Sequence, residues 1–183
     1  MKKQVKSTLE QLIGLEFTRT TRAANMECLK FGTLYRVVDR TGIEWQVGEF
    51  GIHLQCSWRL TKNNVIVVGS DDLFEQPNET AEYDENFNWD VQGGNLRDVK
   101  LKTFLNSGKY IVQSVKADDF GGFELAFNDN VKLTVFPALS SKSEYCEYWR
   151  LLDNRDESKS HFVIGAFGVD GLTPTKHKKN RKK

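Results

Sequence analysis

The sequence predicts an α+β fold: mainly antiparallel β-sheet, bent or barrel-like, with two helices packed against it. Three observations carry that expectation. Residues 50–60, FGIHLQCSWRL, alternate without a fault, with Phe50, Ile52, Leu54, Cys56, Trp58 and Leu60 on one side and Gly51, His53, Gln55, Ser57 and Arg59 on the other. A period of two held this long marks a strand with one core face. Apolar residues take up helical spacing over residues 3–13 and again over 96–106. Beyond the second stretch, short apolar runs alternate with turn residues, the pattern of strands joined by hairpins.

The first helix is expected over 3–13, where Val5, Leu9, Leu12 and Ile13 share a face and Gly14 supplies a stop. Strands follow over 15–23 and 26–38, and a long extended segment over 43–60, with turn residues at 39–42 between the last two. Within that segment the apolar phase slips by one at Gly48 and Glu49, which predicts a bulge or sharp bend. A turn at 61–64 leads into a return strand at 65–68, and Gly-Ser-Asp-Asp (69–72) ends the hairpin. Residues 75–94 are acidic and unpatterned, a loop of about 20 residues, long enough within a domain to suggest a binding role or a lid. Asn95 is placed to cap the second helix, and Gly108 lies past its end. Strands are then expected over 110–117, 123–127, 131–136, 146–152 and 162–167, with Pro137 ending the third of these. Cys56-Ser-Trp58-Arg59-Leu60 and Cys146-Glu-Tyr-Trp149-Arg150-Leu151 each precede a polar turn and an apolar return strand. They read as two similarly built hairpins, each anchored by a buried tryptophan.

At 183 residues the chain suits one domain, expected over 1–172, followed by a basic disordered tail over 173–183. Six of the 26 bases lie in the last eight residues, leaving 20 against 25 acids, so residues 1–175 carry about −5. An acidic body argues against nucleic acid as the main ligand, and the tail leaves only weak phosphate contacts. No apolar run reaches the roughly 18–20 residues of a membrane span, and the start lacks the apolar core of a secretory signal. The expected location is the cytoplasm. Cys28, Cys56 and Cys146 form no C-x-x-C pair, which suits a reducing compartment.

Catalytic and cofactor motifs are missing from the sequence: there is no nucleophile elbow and no phosphate loop. His53, His161 and His177 have no ligand spacing, and Asp71-Asp72 and Asp118-Asp119 are also ordinary turn chemistry, so neither metal nor cofactor is expected. Two residue sets remain. His53, Gln55, Arg59, Asp71 and Asp72 read first as a solvated strand face and a capped turn, and alternatively as the lining of a polar cleft with a base, an anion clamp and orienting carboxylates. Tyr83, Asp84, Glu85, Phe87 and Trp89 interleave aromatics with acids on the long loop, as a surface for a basic protein would, or else pin the loop to its own domain.

His53-Leu-Gln-Cys-Ser-Trp-Arg59 followed by Gly69-Ser-Asp-Asp-Leu73 resembles the signature of a family of small uncharacterised bacterial proteins. The hairpin pattern of Phe123 to Phe127, Asn128-Asp129-Asn130, Leu133, Val135-Phe136 and Glu147-Tyr148-Trp149-Arg150-Leu151 is similar to that of small bacterial proteins, some of them immunity partners of polymorphic toxins. Neither resemblance brings a catalytic residue with it; together they imply a bacterial origin and a binding role. The expected function is a non-enzymatic protein-binding module, an immunity-type protein neutralising a basic toxin being one form of it. The alternative is a small-ligand receptor or hydrolase built around His53 and Arg59.

Overall fold

The computed structural model describes residues 1–38, 41–140, 146–156, 158 and 161–171. The expected tail, with His177, and the domain boundary at 172 lie outside them. The fold is α+β and antiparallel throughout its ladders, as the alternation predicts. Helix α1 (Lys2–Leu9) continues into a single 3-10 turn (Glu10–Leu12) and buries Val5, Leu9 and Leu12 before Gly14 takes a φ of +88°. Strands β1 (Phe17–Ala23), β2 (Met26–Phe31), β5 (Phe50–Leu54), β11 (Glu147–Asp153), β12 (Phe162–Gly165) and β13 (Gly168–Gly171) form a six-stranded sheet in that order. A five-stranded sheet runs β7 (Val65–Gly69), β6 (Trp58–Lys62), β10 (Val131–Val135), β9 (Phe123–Phe127), β8 (Val112–Ala117). Strands β3 (Tyr35–Val38) and β4 (Glu44–Val47) pair as a separate ribbon, and α2 (Leu96–Asn106) contacts β1 and β7.

The two large sheets press their inner faces together around one core. Phe123 of β9 meets Trp149 of β11 edge-on at 4.8 Å, and Phe17 of β1 lies 6.2 Å from Phe127 of β9. The Trp149 indole N–H donates to the Gly121 carbonyl at 2.7 Å, so this fully buried ring leaves no polar atom unmet. Along one edge the sheets are stitched: Phe17 N–H donates to Tyr110 O at 2.8 Å, and Val112 N–H to Leu15 O at 2.9 Å. That edge is closed as in a barrel.

Four elements differ from expectation for identifiable reasons. The alternation over 50–60 holds in burial except that Gly51 is buried too and Cys56 is half-buried like Ser57, yet the segment is two strands in different sheets, broken at residues 55–57. Gln55 N–H still bonds Tyr148 O on the six-stranded side, and Ser57 O already accepts from Phe136 on the five-stranded side. Because both sheets face one core, the chain turns this corner without changing its inside-outside phase. The extended segment 26–38 splits at Gly32, whose φ of +78° turns the chain away toward the ribbon. The bend expected at Gly48 and Glu49 is present, where the ribbon ends and β5 begins; a Cβ at Gly48 would lie 2.6 Å from the Phe31 carbonyl oxygen, so only glycine lets the two backbones cross. Residues 162–167 open a further hairpin into β13, and residues 70–74 form a 3-10 turn. The two Trp-Arg hairpins exist as β6–β7 and β11–β12, one in each sheet, with Trp58 and Trp149 both buried.

Candidate functional site

The long acidic loop is a closed, internally bonded knob. Its base is shut by Leu96 N–H donating to Glu75 O at 2.9 Å, so the ends of a segment of some 20 residues meet at one backbone bond. Inside it the Gln76 amide reaches the carbonyls of Asn78, Ala81 and Glu82 at 3.0–3.1 Å, while its own oxygen accepts from Asp84 N–H at 3.0 Å. Asn78, Asp84 and Asn88 each accept a backbone N–H two residues on, which makes three Asx turns in succession.

Arg22 holds the knob to the sheet. Its side chain is 1% exposed and donates to both Asp98 carboxylate oxygens at 3.1 and 3.0 Å, to Asp90 at 3.1 Å, and to the carbonyls of Ala24, Trp89 and Val91. Burial opposes the charged guanidinium, but the bonds to Asp98 and Asp90 outweigh it, so its pKa lies above the ordinary value. Asn95, fully buried, caps α2 through Asp98 N–H at 2.9 Å and donates to Trp89 O at 3.0 Å. Behind it Arg97 and Glu27 form a second buried pair at 3.1 Å. Burial pushes the Glu27 carboxyl up to about 7 against the pull of Arg97 and the Thr20 hydroxyl, and it lowers Arg97 as well.

The five residues of the loop set all lie on this knob, in two layers. Trp89 is half-buried and meets Phe74 edge-on at 5.6 Å, and Phe87 is half-buried. Tyr83, by contrast, is 73% exposed, with Asp84 and Glu85 exposed beside it. Residues 75–94 hold six acids and no Lys or Arg. Asp90 pairs with Arg22 and Glu79 with Lys100, which leaves Glu75, Glu82, Asp84 and Glu85 without an ion pair among the described residues.

The other set does not converge. His53 lies on the outer face of the six-stranded sheet, opposite Cys28 and Arg150. Burial, with Arg150 nearby, pushes its pKa down to about 4. Gln55 and Asp71 share the rim of a 330 Å³ cavity reached by Arg97. Arg59 is exposed on β6, its guanidinium 5.7 Å above the Phe136 ring. Asp72 accepts from Gly69 N–H at 2.9 Å, capping its own turn. The corner at residues 55–57 causes this dispersal, since it sends the two ends of the segment into separate sheets.

Sequence reasoning missed Arg22, Gln76 and the Glu27–Arg97 pair. One signal existed: Glu27 occupies the same phase as Leu29 and Phe31, an acid on the core side of a strand. Arg22 and Gln76 carry no comparable mark, because their partners are turn backbone and, for Arg22, residues 67–76 positions away. Among the described residues no three His, Cys, Asp or Glu side chains gather as a metal site, and no helix is long and apolar enough to cross a membrane. No protein-family model, no curated protein and no solved structure matches the chain.

Proposed function

We propose that this chain is a non-enzymatic protein-binding module that docks a basic protein partner on the acidic knob of residues 75–91. The observation that supports this reading is a surface built before the partner arrives: four acids without an ion pair among the described residues and an outward Tyr83, on a loop held by Gln76 and Arg22. Complementary charge speeds and orients encounter with a cationic partner. Tyrosine supplies contact area with little rotamer entropy to lose, and a preformed loop lowers the ordering cost of association. The resemblance to immunity-type proteins makes a toxin with a cationic surface, such as a nuclease, the leading partner class.

The test is affinity capture with the whole chain as bait, from cells that produce it, at two salt concentrations. The expected result is a basic protein whose retention weakens with salt. Tyr83→Ala should cost about 2 kcal/mol, roughly 30-fold in affinity, and the double reversal Glu82→Lys/Glu85→Lys should abolish capture. Capture that ignores both variants and salt would remove the knob from the function.

A further inference from the structure

The β3–β4 ribbon and the outer face of the six-stranded sheet border two adjoining open hollows that the protein-binding reading does not use. They have volumes of 340 and 400 Å³ and share Thr21, Lys30, Trp45 and Gln46. Their chemistry differs. The first is lined by Trp45, Leu152, Cys28 and Gly51, with His53 and Asn154 among its polar groups. The second holds Arg19, Lys30 and Arg36 against a single acid, Glu44.

Two features of this place stand out. Strand register sets Arg19 directly opposite Lys30, and like charges across a ladder destabilise it. Glu44 pairs with Arg36 at 3.3 Å, so it does not neutralise them; among the described residues neither Arg19 nor Lys30 has a carboxylate partner. Both turn instead to one neutral residue of the ribbon, Lys30 donating to the Gln46 backbone carbonyl at 2.6 Å and Arg19 to the Gln46 side-chain amide oxygen. Burial and the neighbouring Arg19 lower the Lys30 pKa. The second feature is His53, half-buried yet making no hydrogen bond to any described residue, beside a Trp45 ring that is 51% exposed.

We propose that the space bordered by the ribbon binds a small planar aromatic anion, its ring between Trp45 and His53 and its carboxylate or phosphate on Arg19 and Lys30. The combined space suits a small metabolite. Its anionic group would supply the counter-charge the Arg19–Lys30 pair lacks. An uncharged imidazole offers the ring edge one donor and one acceptor, and the Trp45 face offers stacking.

The experiment titrates the full chain with indole-3-acetate and with phenyl phosphate, following the Trp45 indole N–H and the His53 ring by NMR. Indole supplies the ring alone and inorganic phosphate the anion alone. The expected result is saturable shifts at both residues with at least one ring-bearing anion, with indole and phosphate each roughly tenfold weaker or more. Which of the two probes wins separates a carboxylate from a phosphate ligand. Arg19→Gln/Lys30→Gln should abolish the preference for the anionic probe over indole, while its melting temperature in the absence of probe stays level or rises because the like-charge contact is gone. The proposal is overturned by the absence of shifts at Trp45 and His53, by inorganic phosphate binding as tightly as either aromatic anion, or by a double variant that binds as the parent does.

Discussion

Replacing Arg22 with alanine separates the fold from the knob it carries. The guanidinium is buried and makes ion pairs or hydrogen bonds to Asp98, Asp90 and three loop or turn carbonyls. Breaking a buried pair by deleting one partner costs about 3–5 kcal/mol when the remaining charge is stranded. Here the strand is partial: Asp98 keeps Gly93 N–H at 2.8 Å and the Asn95 amide at 3.1 Å, and Trp89 O keeps Asn95. The cost should therefore fall near the lower end, about 3 kcal/mol, which for a domain of this size lowers Tm by roughly 6–12 °C. Denaturant unfolding gives the global loss, and amide hydrogen exchange reports the loop directly. Protection at Leu96 N–H, which closes the loop base, should drop further than protection in β9 and β10. Near-unchanged stability, with the Leu96 amide still protected, would refute the claim that Arg22 holds the loop.

Three further outcomes follow from the buried groups. Glu27, at about 7 against an ordinary 4.5, binds more protons folded than unfolded, so its contribution to stability falls as pH rises from 4.5 to 7. His53, at about 4 against 6.5, binds fewer protons folded, so its contribution rises from pH 4 to 6.5. The two oppose each other where the windows overlap; Glu27→Gln should leave a rising stability profile and His53→Gln a falling one, read by urea unfolding across that range. Gly48→Ala should destabilise by about 1–3 kcal/mol, because the added methyl meets Phe31 backbone at 2.6 and 2.8 Å, whereas Gly51→Ala, whose nearest contact is 3.7 Å, should melt as the parent does. Trp149→Phe should cost about 2–3 kcal/mol in denaturant unfolding, for the lost volume and the unpaired Gly121 carbonyl.

Local pattern was enough for helix α2 with its Asn95 cap and for β9 at its observed ends; the turn expected over 61–64 shrinks to Asn63 and Asn64, both at positive φ, because Thr61 and Lys62 stay paired in β6. The pattern was enough for the inside-outside order of residues 50–60 too, Gly51 and Cys56 excepted, but could not reveal the corner within them. Burial phase reports which side faces apolar matter, and it stays the same when that matter is shared by two sheets. The ribbon's departure was visible only as a phase slip at Gly48, since its cause is Phe31 backbone on another strand. For the same reason the candidate site was half legible: Tyr83 and its acids stand out by composition, while Arg22 and Gln76 act through backbone that periodicity does not describe.

The most direct test of the account places a photo-crosslinking amino acid at Tyr83, with Val65 on the exposed edge strand β7 and Phe120 in the β8–β9 turn as comparison positions. Irradiation in producing cells is predicted to join a basic protein to position 83 and not to 65 or 120, and adding Glu82→Lys/Glu85→Lys should erase the adduct. Adducts at 65 or 120 with none at 83, or an adduct at 83 that survives the charge reversal, would contradict it.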